Sequence, residues 1–256
     1  MSSSLSVPVS ILMYHQVGRF NRPDKHRGIY CDVGRFRQQM AYLARFCQVI
    51  SLADANEALF FNKPITGKRA VVLTFDDGCR NFAEYAWPIM KEHRFPVTMF
   101  LVADLIGKTT SWITDIPESD HAPLMDLATL RALKKEGVSF GSHTLNHVKL
   151  SECSFETART EIFDSKKKLE DLLGDAVPDF CYPFGKYNQQ AKDLVIKAGY
   201  KTALTCVRAE ANYAPDPCEL PRKAISYGDN MIGFWWKLYM KRKPKEAWVG
   251  QGSAQK

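Results

Sequence analysis

A chain of 256 residues, 45% hydrophobic and 25% charged, has the composition of a soluble globular protein with a sizeable core. Its formal charge of +7 is unevenly placed, because Lys237, Lys241, Arg242, Lys243 and Lys245 crowd the C-terminal tail. No zinc-finger spacing, basic zipper or RNP-like aromatic motif accompanies that charge, so a nucleic-acid partner is not expected.

The first fifteen residues, "MSSSLSVPVSILMYH", lack the charged start and small-residue cleavage site of a secretory leader, and the apolar run is too short to span a bilayer. The seven cysteines show no CxxC and no regular interval, which points to reduced thiols. Together these predict a cytoplasmic protein. "VPVSILMYH" (7–15) reads as a strand ending on His15, and Phe36, Met40, Leu43 and Phe46 recur at helical spacing over 33–46. A short helix follows at 52–61, capped by Ser51, and then a strand over 70–75.

That strand runs without a break into Asp76 and Asp77. Beyond it come a helix near 81–93, bent or cut short at Pro88, and a strand at 96–103. A helix at 126–136, between an Asp126 cap and Gly137, leads to a strand in "VSFGSHT". The long helix at 154–173 opens on Ser154 and stops at Gly174. "DFCYPFG", a helix at 189–198, "YKTALTC" and "ELPRKAIS" complete the alternation. Strands alternating with helices imply a parallel sheet with crossover connections, and the number of units fits a closed or nearly closed single-domain barrel. The expected domain is 7–227, followed by a C-terminal amphipathic helix and basic tail at 228–256.

In such a barrel the C-terminal strand ends share one face, so His15, Asp76, Asp77, His143 and Arg222 are expected to converge. Two like charges side by side need a compensating cation or a shared proton. "SHTLNH" supplies His143 and His147 four residues apart, also after a strand. Two imidazoles and one carboxylate form the donor set of a hydrolytic zinc centre with an open position. On that reading one aspartate binds the metal, and the other is left free to take a proton from the activated water. "LIGKTT" (105–110) is not a phosphate loop, since Val102 stands where its first glycine belongs. His26, His93 and His121 have no ligand-type partner at useful spacing.

"LTFDDG" (73–78) and "HTLNH" (143–147) resemble the first two motifs of the polysaccharide deacetylases, the NodB-homology or carbohydrate esterase family 4 enzymes, and "YPFGKY" (182–187) resembles the third. "ILMYHQV" (11–17) and "LPRKAI" (220–225) resemble the branch containing the poly-N-acetylglucosamine deacetylases. The resemblance implies a distorted (β/α)7 barrel that removes N-acetyl groups from an amino-sugar-containing glycan with a divalent metal, zinc first, with cobalt, nickel or manganese as alternatives. It implies Asp76 as catalytic base, Asp77, His143 and His147 as metal ligands, and His15 as general acid. Many members carry an arginine where Cys181 stands, and Arg222 is expected to supply that charge from another strand. Tyr182 and Phe184 fall in the substrate and oxyanion region. The Phe184 N–H is the better oxyanion donor, since Pro183 has none, and Trp112 is the aromatic for sugar stacking.

Two other functions share these features: a metal amidohydrolase acting on a non-sugar amide or formamide, and a catalytically silent carbohydrate-binding protein on the same fold. The segment 230–245 has two readings of its own. Met231, Phe234, Trp235, Leu238 and Tyr239 share a helical face ahead of a basic run, which suits either packing on the barrel or peripheral contact with anionic lipid at the inner membrane face, where a lipid-linked or nascent saccharide would be met.

Overall fold

The computed structural model describes residues 7–21, 23–240 and 242–245. The sequence readings on residues 1–6, Lys241 and 246–256 lie outside them. In chain order the strands are β1 (Val9–Tyr14), β2 (Gln16–Gly18), β3 (Tyr30–Asp32), β4 (Gln48–Val49), β5 (Ala70–Phe75), β6 (Thr98–Leu101), β7 (Ser139–Ser142), β8 (Asp179–Cys181), β9 (Thr202–Leu204) and β10 (Lys223–Ala224). The helices are α1 (Val33–Phe46), α2 (Leu52–Phe60), α3 (Trp87–Glu92), α4 (Leu127–Lys135), α5 (Phe155–Leu173), α6 (Gln189–Lys197) and α7 (Met231–Met240).

Seven parallel strands follow one another around the sheet in the order β10-β1-β5-β6-β7-β8-β9, with β4 added beside the start of β5. The remaining gap is spanned by the segment running into β10. Leu220 bridges Leu204 on β9, and Lys223 and Ala224 pair with Leu12 and Met13 on β1. This is the distorted (β/α)7 barrel of NodB type that the motifs imply, in a single domain. A separate small sheet, β2 beside β3, was not legible in the sequence.

Alternation along the strands sorts side chains into two layers. Val9, Ile11, Val72, Phe100, Cys181 and Leu204 fill the barrel, while Leu12, Tyr14, Leu73, Phe75 and Met99 face the helices. Gly141 on β7 is required by this filling. A Cβ there would lie 2.5 Å from the Phe100 ring and 2.9 Å from the Asp179 carbonyl oxygen.

The helix boundaries follow local chemistry. The side chains of Ser51, Asp126 and Ser154 each accept a backbone N–H of the first turn of the helix they precede, and Gly174 ends α5 at φ 66°. Pro88 falls where the helix changes geometry. The chain turns through a π-helical segment at Phe82–Ala86 and re-enters α geometry at Trp87, which places Pro88 in the first turn, where no intrahelical N–H is needed.

The packed reading holds for the inner side of α7. Phe234 and Leu238 are fully buried, the Tyr42 and Tyr239 hydroxyls lie 3.2 Å apart, and the buried Lys223 ammonium donates to the Leu238 carbonyl at 2.9 Å. The outer side leaves Ile232 77%, Trp235 45% and Met240 57% exposed. Among the described residues no helix is long and apolar enough to cross a membrane.

Candidate active site

The strand β5 is parallel to β1 and ends level with it, Phe75 opposite Tyr14, so that His15 and Asp76 leave neighbouring strands at the same height. Asp76 still extends the sheet, donating its N–H to the Tyr14 carbonyl at 2.9 Å. The chain then turns sharply, with Asp77 at φ 76° and Gly78 at φ 80°. A Cβ on Gly78 would meet Leu101 Cδ2 at 2.9 Å, so both the backbone angle and the neighbour call for glycine. The two adjacent carboxylates are thereby sent to different partners.

Asp76 is held by Arg222. The guanidinium reaches both carboxylate oxygens at 2.7 Å and is itself fully buried. Arg222 stands just before β10 rather than at a strand's C-terminal end, one step below the Leu12–Lys223 pair. Its side chain therefore climbs the barrel interior, donating on the way to the Thr205 carbonyl at 3.0 Å and the Thr74 hydroxyl at 3.3 Å. Its second terminal nitrogen also lies 3.0 Å from Cys181 Sγ. The charge expected at position 181 thus arrives from the neighbourhood of β10. Burial pushes the Asp76 carboxyl upward, but the Arg222 charge and hydrogen bonds outweigh burial and hold it well below the usual carboxylate range. The strand-end pattern by itself points to a metal for this compensation and the family resemblance to Arg222; at Asp76 it is the guanidinium that provides it.

Asp77 has no such partner. Its Oδ1 is buried with no hydrogen bond, 3.4 Å from His147 Nε2 and 3.7 Å from His143 Nε2. Burial raises the Asp77 carboxyl, and the surrounding imidazoles, His147 first, bring it below its ordinary value. His143 Nδ1 donates to the Cys181 carbonyl at 2.7 Å, which fixes the tautomer and turns the Nε2 lone pair toward Asp77. Burial also brings the His143 pKa down to about 4, so the ring is neutral at physiological pH. An unbonded buried carboxylate oxygen facing two imidazole nitrogens fits a divalent cation.

A second group of possible ligands, Asp76, His143 and Cys181, shares His143 with the first. It suits a cation poorly, since Asp76 and Cys181 are both engaged by Arg222 and burial pushes the thiol well above its normal range.

The loop carrying the histidines is strained in two places, Thr144 at φ 67° and His147 at φ 60°. Glu161 on α5 holds it there. One carboxylate oxygen accepts the N–H groups of Leu145 and Asn146 at 2.9 Å each, and the other accepts the Asn146 side-chain amide at 2.9 Å. Sequence reading missed Glu161. The available signal was an acid on the apolar stripe of α5, between Ala158, Ile162 and Ser165.

Above these groups is a cavity of about 410 Å³ lined by His15, Asp76, Asp77, His143, His147, Tyr182, Phe184 and Trp112 among others. His15 Nε2 is 3.9 Å from Asp76 Oδ2. Trp112 stacks one face on His147, centroids 4.3 Å apart, and the Phe184 ring meets His147 edge-on at 4.5 Å. Tyr182 contributes less than expected. Its ring is buried against Tyr187, its hydroxyl donates to the Cys218 carbonyl, and its N–H donates to Leu204 O at 3.1 Å, so that N–H is not free for an oxyanion. Phe184, at φ 56°, carries the N–H of this loop with no protein acceptor among the described residues. His26, which its sequence neighbours leave without a partner, lies on the cavity wall and pairs with Asp115 at 2.7 Å, tying two rim loops together.

The profile of the polysaccharide deacetylase family matches residues 63–203, more than half of the chain. Bacillus subtilis YxkH, of polysaccharide-deacetylase type, is 24% identical over 219 residues, covering 85% of this chain and 71% of that protein. The poly-β-1,6-N-acetyl-D-glucosamine N-deacetylase of Staphylococcus aureus is 25% identical over 168 residues, covering 62% of this chain, and the match spans only 55% of that enzyme's length. The structure of the Streptococcus pyogenes deacetylase PplD in complex with acetate superimposes with a TM-score of 0.78 at 26% identity, covering 91% of this chain and 99% of that one. IcaB from Ammonifex degensii shares the fold, with a TM-score of 0.76 at 20% identity and coverage of 91% and 97%.

Replacing Arg222 by Met should cost about 3–5 kcal/mol of stability in urea denaturation near neutral pH, because it strands a buried carboxylate. The depressed Asp76 carboxyl stabilises the fold above its unfolded value of about 4, and that contribution is lost as pH falls toward the lower folded value. The gap between wild type and variant should therefore narrow below about pH 4; a gap independent of pH would show that the ion pair does not carry it.

Proposed function

This chain belongs to the polysaccharide deacetylase family, and from that premise we propose that it is a metal-dependent hydrolase that removes N-acetyl groups from an amino-sugar-containing glycan, releasing acetate. The observation that carries the reading is the division of labour between the adjacent acids: Asp76 locked on Arg222, Asp77 unbonded and facing His143 and His147.

Asp77, His143 and His147 would hold the cation, which we take to be zinc. When bound, such a cation supplies Lewis-acid polarisation of a carbonyl oxygen and lowers the pKa of the attacking water. Asp76 accepts that water's proton on its carboxylate. Its low pKa makes it a weak base but keeps it ionised at every working pH, and the two bonds from Arg222 fix its direction. The Phe184 N–H donates to the oxygen on which negative charge develops. His15, on the neighbouring strand end, gives a proton to the departing nitrogen. Trp112 and Phe184 wall the sugar site with aromatic surface.

The protein would act in a reducing compartment, at the cytoplasmic face of a membrane. Two features support this placement. All seven cysteines are unpaired, and the outer face of α7 exposes Ile232, Trp235 and Met240 ahead of Arg242, Lys243 and Lys245 in the sequence, an aromatic and cationic combination suited to anionic lipid. The substrate would then be a lipid-linked or nascent saccharide.

Asp76→Asn should retain stoichiometric metal by elemental analysis while kcat for acetate release from N-acetylglucosamine oligomers falls by about 10²–10⁴-fold. His143→Ala and His147→Ala should lose the metal. An Asp76→Asn protein that turns over normally, or acetate released only from small non-sugar amides, would contradict the assignment. Ile232→Glu with Trp235→Glu should abolish co-sedimentation with phosphatidylglycerol vesicles without unfolding the protein, since both side chains are exposed; unchanged co-sedimentation would remove α7 from the membrane reading.

A further inference from the structure

A second cavity, of about 610 Å³, opens beside the first on the same side of the barrel. The two share one wall residue, Cys206, which follows β9. On its other sides the second cavity is lined by Arg208, Met240, Arg242, Lys243 and Lys245. It exists because the chain beyond α7 is fastened to the loop after β9, the Glu210 N–H donating to the Arg242 carbonyl at 2.8 Å.

Four cations therefore face one space, and little answers them. Arg208, Lys243 and Lys245 have no acidic partner among the described residues. Arg242 donates to the Tyr239 carbonyl and approaches Glu210 only to 4.0 Å, while that carboxylate is already bonded to Arg69 at 2.7 Å. Like charges gathered around a cavity raise its potential and favour a multiply charged anion. Guanidinium and ammonium groups together match phosphoryl oxygens in geometry and charge.

We propose that this cavity binds a phosphoryl group of the substrate, so that the enzyme acts on an N-acetylated amino sugar carrying a phosphate or phosphodiester next to the sugar in the metal pocket. The inference rests on the deacetylase reading and narrows its substrate class. Cys206 lines both cavities, so the two subsites adjoin, and the proposal requires a substrate whose phosphoryl group sits on the position next to the sugar.

The test compares kcat/KM for acetate release from an N-acetylglucosamine oligomer with that from the same oligomer bearing a reducing-end 1-phosphate. The phosphorylated substrate should be favoured by about tenfold or more, mainly through KM, the value of one or two charge-assisted contacts. The preference should shrink at high ionic strength, and it should fall toward one in the variant Arg208→Ala/Lys243→Ala/Lys245→Ala, whose altered side chains are all exposed. Equal efficiency on both substrates, or a preference that survives the triple substitution, would overturn the inference alone. Acetate from neither substrate would overturn the deacetylase reading and this inference with it. A triple variant that loses binding to phosphatidylglycerol vesicles while keeping its substrate preference would assign the cations to a lipid headgroup, and the proposal would fail.

Discussion

Two carboxylates on consecutive residues stay ionised inside the barrel mouth because each answers to a different neighbour. Burial works against both charges, and their contact adds repulsion. Arg222 removes the difficulty at Asp76 with two hydrogen bonds at 2.7 Å from a fully buried guanidinium. With that acid neutralised, the remaining unbonded oxygen belongs to Asp77, and the two imidazole nitrogens that face it belong to a loop from a different strand. The arrangement separates a positioned, permanently ionised carboxylate from a donor set ready for a cation. Without the Arg222 pair, both acids would compete for whatever positive charge entered the site.

The barrel makes this separation possible through its register. Tyr14 lies opposite Phe75, so His15 and Asp76 leave β1 and β5 at one height, and His143 follows β7 on the same side. The turn after β5 depends on positive φ at Asp77 and Gly78, and the histidine loop on positive φ at Thr144 and His147. Such backbone needs support from elsewhere, and Glu161 supplies it by accepting three N–H bonds from Leu145 and Asn146. The site therefore reaches into the helical layer: α5 positions the ligand loop, just as the segment before β10 positions the base.

Much of this was legible in the sequence. The Asp pair after "VVLTF" and the His pair after "VSFG" announced strand-end chemistry, and capping serines, aspartates and glycines marked helix ends that the structure reproduces. Arg222 could be named but not located. Its residue type follows from the missing charge at Cys181, whereas its climb through the barrel depends on three-dimensional register. Tyr182 was expected near an oxyanion and instead spends its N–H on β9, continuing the Cys181–Leu204 pairing, because the register of two strands that are distant in sequence leaves no trace in composition. His26 and the β2–β3 pair were invisible because each acts through a partner distant in sequence, with no local pattern to mark it, and Glu161 showed only as an acid on the apolar stripe of α5, with nothing local to name the loop it holds. The sequence reading of α7 found one apolar face, but the helix presents two, one closed on the barrel and one open, because an apolar run around most of a short helix does not say which side meets the core.

The central claim is which side chains surround the cation. X-ray absorption at the zinc edge of the metal-loaded wild-type protein reads that shell directly. The account predicts nitrogen and oxygen scatterers at about 2.0–2.1 Å, with the multiple-scattering signature of two imidazoles and no sulfur. A sulfur shell at about 2.3 Å would place the metal on Cys181 beside Asp76 and His143, and would contradict the separation of the two acids on which the mechanism is built.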